Sequence, residues 1–173
     1  PMAGVPFHAV DAYIHKAVNN NKSVVICEQV GEATPGKGLM ERKVARIITP
    51  GTVIDNGVLQ DKEIKILASI FVRGKNAEIA WMNFASGEIW CNRVGFHDVY
   101  SELMRINPVE VLLSDKQFSQ TVIPDHIATS VVADWEFDFT LADNSLQKYF
   151  GSQYLHRFGL PANIPIAGVI SSL

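Results

Sequence analysis

The chain has 173 residues, 47% of them hydrophobic and 19% charged, with a formal net charge of -3, which is enough apolar material for a buried core in one large domain or two small ones. It holds no apolar run near the roughly 20 residues of a membrane-spanning helix and no charged-then-apolar secretory start, so it reads as a soluble, unexported, cytoplasmic chain. Charge is uneven: residues 1–55 hold six Lys/Arg against five Asp/Glu, and residues 56–173 hold nine against thirteen, so no broad basic face is available and the chain alone is expected to bind nucleic acid weakly.

In chain order, His8 to Asn20 places Val10, Tyr13, Ile14, Ala17 and Val18 on one helical stripe, which predicts an amphipathic helix ended by Asn19-Asn20-Asn21. Ser23 to Val30 reads as a mostly buried strand. After a loop with two glycines and a proline, Lys43 to Thr49 reads as a second strand, stopped by Pro50-Gly51 in a type II turn. The polar stretch Asp55 to Lys65 breaks the periodicity and marks a domain boundary.

Beyond it, Ile66 to Val72, Ala77 to Phe84 and Glu88 to Val94 are three strands joined by Gly74-Lys75-Asn76 and Ser86-Gly87, the pattern of an antiparallel meander. A short helix follows with Val99, Leu103 and Ile106 inward. Val109 to Leu113 is a nearly continuous apolar run, as in a strand covered on both faces. Ala128 to Phe139 reads as extended, Thr140 with Asp143 as the capping box of a helix through Phe150, and Pro165 to Leu173 as a last helix that stops without a C-cap. That unfinished stripe predicts a chain cut from a larger protein.

Candidate chemistry is sparse. Gly31 to Gly38 fits the phosphate-binding GxxxxGK[ST] loop except at its last position, where Gly38 stands in place of the Mg²⁺-binding hydroxyl; Pro35 lacks an N–H, and a β-patterned run follows instead of a helix. The segment reads as a loop. Strand alternation over Asp134 to Phe139 puts Asp134, Glu136 and Asp138 on one face and three aromatics on the other. Three acids could hold Mg²⁺ for phosphodiester hydrolysis, but such clusters draw on several strands, and Ile66 to Val72 carries no acid; a solvated acidic face over an aromatic core face is the reading. The five histidines show no metal-ligand spacing, no GxSxG elbow is present, and Cys27 and Cys91, each alone in a strand-like run, read as reduced core residues. Asn21-Lys22-Ser23 matches an N-glycosylation site, which has meaning only in a secreted protein. Lys37, Arg42, Lys43 and Arg46 lie beside glycines that permit close backbone approach to phosphate, diluted by Glu32 and Glu41.

Residues 1–10, PMAGVPFHAV, then Val24 to Gly31, Lys37-Gly38, Glu41-Arg42-Lys43-Val44 and Arg46 to Thr52 resemble, in order and spacing, the first domain of the MutS family of DNA mismatch-recognition proteins. Phe84-Ala85-Ser86-Gly87-Glu88, Glu102-Leu103, Asn107 to Val111, Trp135-Glu136-Phe137 and Phe158-Gly159-Leu160 are similar to that family's connector. Asn83 departs from the Asp common there. The resemblance implies an α/β chain: a partial mixed α/β domain over 1–55 from the rear of the mismatch-binding domain, a linker over 56–64, and a ribonuclease-H-like mixed-sheet connector over 65–173, truncated in its last helix and without nuclease activity. The Phe-x-Glu pair that reads the mispaired base in the family occurs nowhere in this chain.

The expectation is therefore a non-catalytic piece of a mismatch-repair protein, with no cofactor or metal of its own. ATP and Mg²⁺ belong to the larger protein's ATPase domain. Its implied partners are double-stranded DNA containing mismatches, MutL through the connector, and a second copy of the larger protein. Candidate DNA-contacting residues are Met2, His8, Lys37, Gly38, Arg42 and Lys43. The alternatives are a metal-dependent nuclease built on Asp134, Glu136 and Asp138, and a pure protein-interaction module.

Overall fold

The computed structural model describes residues 2–30, 41–52, 65–83, 85–119 and 121–157. The phosphate-loop-like segment, the polar stretch read as a boundary and the final helix all lie outside the described residues. The chain divides into two compact units, Pro1–Val53 and Ile54–Leu173.

In the first unit, a 3-10 turn over Phe7–Ala9 leads into α1, Val10–Val18. The entry is tighter than the periodicity implied, because the Ala9 N–H donates to the Pro6 carbonyl at 2.9 Å before the helical pattern begins. Strand β1, Val24–Val30, pairs antiparallel with β2, Glu41–Ile48. Ile14 and Val18 of α1 bury against Ile48, with Val10, Val24 and Ile26 packed beside them. Two expectations fail here. Tyr13 is 57% exposed because the packing stripe runs through Val10, Ile14 and Val18 alone. Strand β1 is not mostly buried either: only Val24 and Ile26 are partly covered, since α1 shields one face of a two-stranded sheet. Cys27 is consequently exposed and no core residue, whereas Cys91 is half-buried and burial pushes its thiol up. Pro50-Gly51 does turn the chain, with the Thr52 N–H donating to the Thr49 carbonyl at 3.2 Å.

The second unit is a five-stranded mixed sheet in the order β5-β4-β3-β6-β7. Strands β3 (Ile66–Arg73), β4 (Asn76–Asn83) and β5 (Glu88–Gly95) form the expected meander. Gly74 and Gly87 take left-handed φ of 61° and 73° in its turns, where a side chain would be strained. Helix α2, Val99–Ile106, lays Val99, Leu103 and Ile106 on the sheet face formed by Ala68, Ile70, Ala77, Ile79, Val111 and Leu113. It ends at Asn107, whose left-handed φ of 50° reverses the chain into β6, Glu110–Ser114. Strand β6 runs parallel to β3 on one side and to β7, Ala128–Val132, on the other, which is why its apolar run is buried on both faces. The opposite sheet face is unusually polar for its burial. Glu110 accepts from the Ser130 hydroxyl at 2.6 Å, and Glu78, 2% exposed, accepts from Arg93 through Oε1 while its Oε2 has no hydrogen-bond partner among the described residues.

The segment Ala128 to Phe139 is not one extended strand. It stops at Val132, and Asp134–Phe137 curls into a 3-10 turn in which the Glu136 N–H bonds the Ala133 carbonyl and the Asp138 N–H bonds the Trp135 carbonyl, both at 3.0 Å. Asp138, not Thr140, then caps helix α3, Phe139–Phe150: its Oδ1 accepts from the N–H groups of Thr140 and Leu141 at 2.9 and 3.1 Å. Asp143, read as the far half of a capping box, instead accepts from Gln147 and from the hydroxyl of Tyr154 in α4, Tyr154–Arg157. Burial, reinforced by Asp143, pushes that hydroxyl well above its ordinary range.

Two side-chain devices finish the sheet. The Gln117 carboxamide accepts from the Val72 N–H at 2.7 Å and donates to the Val72 carbonyl at 2.8 Å. Asp134 accepts from the Ser114 hydroxyl at 2.6 Å and from the Lys116 ammonium at 2.5 Å, fixing the 3-10 turn to the end of β6.

Gln117→Ala is expected to lower the unfolding free energy by roughly 1–3 kcal/mol, the cost of leaving half-buried backbone groups unpaired; an unchanged urea midpoint would refute the clamp. The Lys116 ammonium, helped by Ser114, holds the Asp134 carboxyl below the usual carboxylate range. A depressed folded value adds stability above the unfolded value and loses it as pH falls through the folded one. Asp134→Asn should therefore lower stability near neutrality and flatten the acid limb of a urea-midpoint profile; parallel profiles for the two proteins would contradict this.

Candidate nucleic-acid interface

The register of β1 and β2 decides where the basic residues of the first unit point. Directly opposed residues of an antiparallel pair share a face, and faces alternate along each strand. Ile26 lies opposite Arg46 but Cys27 lies opposite Val44, so Ala45 is an extra residue, a bulge. The bulge inverts the alternation of β2 beyond it. Val25, Cys27 and Gln29 thereby share the outer face with Ile47, Val44 and Arg42, while Lys43 falls opposite Glu28 on the face that carries Val24, Ile26 and Ile48. A stretch contiguous in sequence is thus split, with Arg42 and Lys43 on opposite faces.

Lys43 lies 3.8 Å from Glu41, both side chains largely exposed, which leaves a weak and salt-screened pair. Arg42 is engaged differently. Its Nη1 donates to the Sδ of Met2 at 3.5 Å, joining residues 40 apart at the start of β2. Met2 itself is 74% exposed. His8 is exposed on the 3-10 turn, and among the described residues no hydrogen bond ties it or Lys43 to this pair. Of the six residues expected to contact DNA, the structure brings two together, Met2 and Arg42. It leaves His8 and Lys43 separate from that contact, while Lys37 and Gly38 lie outside the described residues.

Pattern reading missed the apolar side of this surface. Phe7 is 96% exposed, and Val25, Val44 and Ile47 are 53%, 60% and 62% exposed on the outer hairpin face. The outer face is set by Ala45, which carries no sequence signal as a bulge. Phe7 precedes the first periodic residue, so no stripe assigned it a side.

The three acids of the second unit do not form a site. Asp134 is bound to Ser114 and Lys116, and Asp138 caps α3. Glu136 sits between them on a 3-10 turn, where period-2 alternation no longer places side chains on a common face. The aromatics separate too: Phe137 is buried while Trp135 is 65% exposed. Among the described residues no three His, Cys, Asp or Glu side chains could jointly hold a metal ion, and no helix is long and apolar enough to cross a membrane. The nuclease alternative loses its geometric basis.

Residues 1–57 match MutS domain I and residues 65–171 match MutS domain II. The order of the two matches follows the two compact units, a small α/β hairpin unit and then a mixed five-stranded sheet. This chain therefore belongs to the MutS family of DNA mismatch-repair proteins, of which it carries domains I and II.

Proposed function

We propose that the chain supports mismatch recognition without catalysis: its first unit contacts the backbone of duplex DNA, and its second relays nucleotide-dependent movement within the larger protein and meets MutL. The observation that carries the DNA contact is the exposed Arg42 guanidinium on a domain I match, its Nη1 3.5 Å from the Sδ of Met2. A planar, always-charged guanidinium suits phosphate. The relay reading rests on the domain II match and on a sheet ordered with β3, β6 and β7 parallel and a two-strand antiparallel flank, the arrangement of ribonuclease-H-like folds. ATP and Mg²⁺ are assigned to a P-loop domain of the larger protein, which also supplies its dimer contacts.

The chain contains no Phe-x-Glu, so nothing here reads a mispaired base by that device. Fluorescence anisotropy should accordingly give equal, salt-sensitive affinities for matched and mismatched duplexes. Arg42→Ala should weaken both alike and lower the slope of log K against log salt by roughly 0.9, one phosphate contact. A preference for the mismatched duplex, or a slope unmoved by Arg42→Ala, overturns the reading. MutL capture by a chain that shows no DNA affinity at any salt would favour the pure interaction module.

A further inference from the structure

Strand β5 lies at the edge of the five-stranded sheet, and one row of its backbone groups faces away from β4. The Phe96 N–H donates to the Lys75 carbonyl at 2.9 Å, and hydrogen bonding alternates along an antiparallel ladder. Val94, Asn92 and Trp90 therefore turn their backbone groups to β4, while Arg93, Cys91 and Ile89 turn theirs outward. An open edge is a template for another strand, usually blunted by Lys, Pro, a bulge or short length. This one has eight residues in unbroken register, without Lys or Pro. Its charged side chains are occupied as well: Arg93 bonds Glu78, and Glu88 accepts from the Ser86 hydroxyl.

One outward group is not open. The Arg93 N–H donates to Oδ1 of Asn92 at 2.9 Å, so a side chain fills the place that a neighbouring strand's carbonyl would take. That carboxamide is held from its other end. Asn92 lies opposite Ile79, on the face that carries α2, and its Nδ2 donates to Glu102 at 3.1 Å. Glu102 is fixed in turn by two bonds from Arg105, at 2.9 and 2.7 Å, and the Arg105 guanidinium stands 5.5 Å from the Trp81 ring centre. The Arg105 bonds also hold the Glu102 carboxyl below the usual carboxylate range, so it stays an acceptor. We propose that Asn92, braced by Glu102 and Arg105 of α2, guards the open edge of the sheet: it withholds the Arg93 N–H and so keeps β5 from pairing with β5 of a second copy. A second copy is the strand excluded because an antiparallel pair of identical edges closes on itself about a two-fold axis, matched in length. Both copies then present a capped Arg93, which doubles the effect.

The test uses the whole chain in sedimentation velocity, with amide exchange read residue by residue by NMR and each variant checked by thermal melt. In the unsubstituted chain the Arg93 amide should exchange roughly tenfold more slowly than those of Ile89 and Cys91. Equal, fast rates for the three overturn the guard, and slow exchange of all three shows an edge already covered, which overturns it equally. This comparison needs no variant, so it decides the matter even where a substitution prevents folding. Asn92→Ala should strengthen self-association roughly tenfold, about the worth of one net hydrogen bond. Adding Ile89→Pro, which removes an outward N–H without breaking a bond to β4, should return the mass distribution to that of the unsubstituted chain. If Asn92→Ala sediments as the unsubstituted chain does, no strand was being excluded and the proposal falls. If the double variant associates as strongly as Asn92→Ala alone, the new contact lies away from β5 and the guard is refuted.

Discussion

The parallel seam between β3 and β6 organises the second unit. Strand β3 pairs with β4 along all eight of its residues but with β6 only from Leu67 to Ile70, opposite Glu110 to Leu113. Past that point Val72 offers an N–H and a carbonyl to a lane that β6 has left, and the Gln117 carboxamide takes both as a strand would. The sheet also changes direction here: the chain leaves β3 towards β4 and β5 on one side and continues from β6 to β7 on the other. The carboxyl ends of strands at such a switch are where α/β sheets open a ligand crevice. In this chain the opening is filled from within by Gln117, by Asp134 bound to Ser114 and Lys116, and by Phe137 stacked on Phe71 at 5.0 Å. The groups a crevice would present to a ligand are bonded to one another.

That closure explains which parts of the fold were legible in the sequence. The meander, α2 and β6 follow from periods of 2 and 3.6, and from an apolar run, each matched to the surface it packs on. The α/β character and the mixed sheet emerge from those elements. Ala128 to Phe139 differs from one extended strand for a physical reason: acid and aromatic alternate from Asp134 to Phe139, but three of these residues have separate local contacts. Asp134 answers Lys116, Phe137 answers Phe71, and Asp138 caps α3. Alternation there records three unrelated contacts and no strand.

The first unit was harder to read because its sides are set by one bulge. The apolar run of β1 implies burial, but a two-stranded sheet under one helix has a single covered face. The extra Ala45 then turns Val44 and Arg42 to the uncovered one. The Met2–Arg42 link spans 40 residues and depends on that turn, so no local pattern could announce it. Charge counting found the basic stretch, yet it could not tell that Arg42 and Lys43 diverge.

The two units therefore differ in how much of their order is internal. In the second, even carboxylates as deep as Glu78 and Glu110 engage Arg93 and Ser130, and the sheet is stapled by side chains at its seam. The first rests on Ile14, Val18 and Ile48 with a few partly covered neighbours, and a two-stranded hairpin is marginal in water by itself. Arg42 contacts Met2, which precedes α1, the element supplying Ile14 and Val18 of that small core. Any ligand that bound only the folded form of this unit would stabilise it by mass action. Phe7 and the outer hairpin face leave large apolar side chains of this unit exposed.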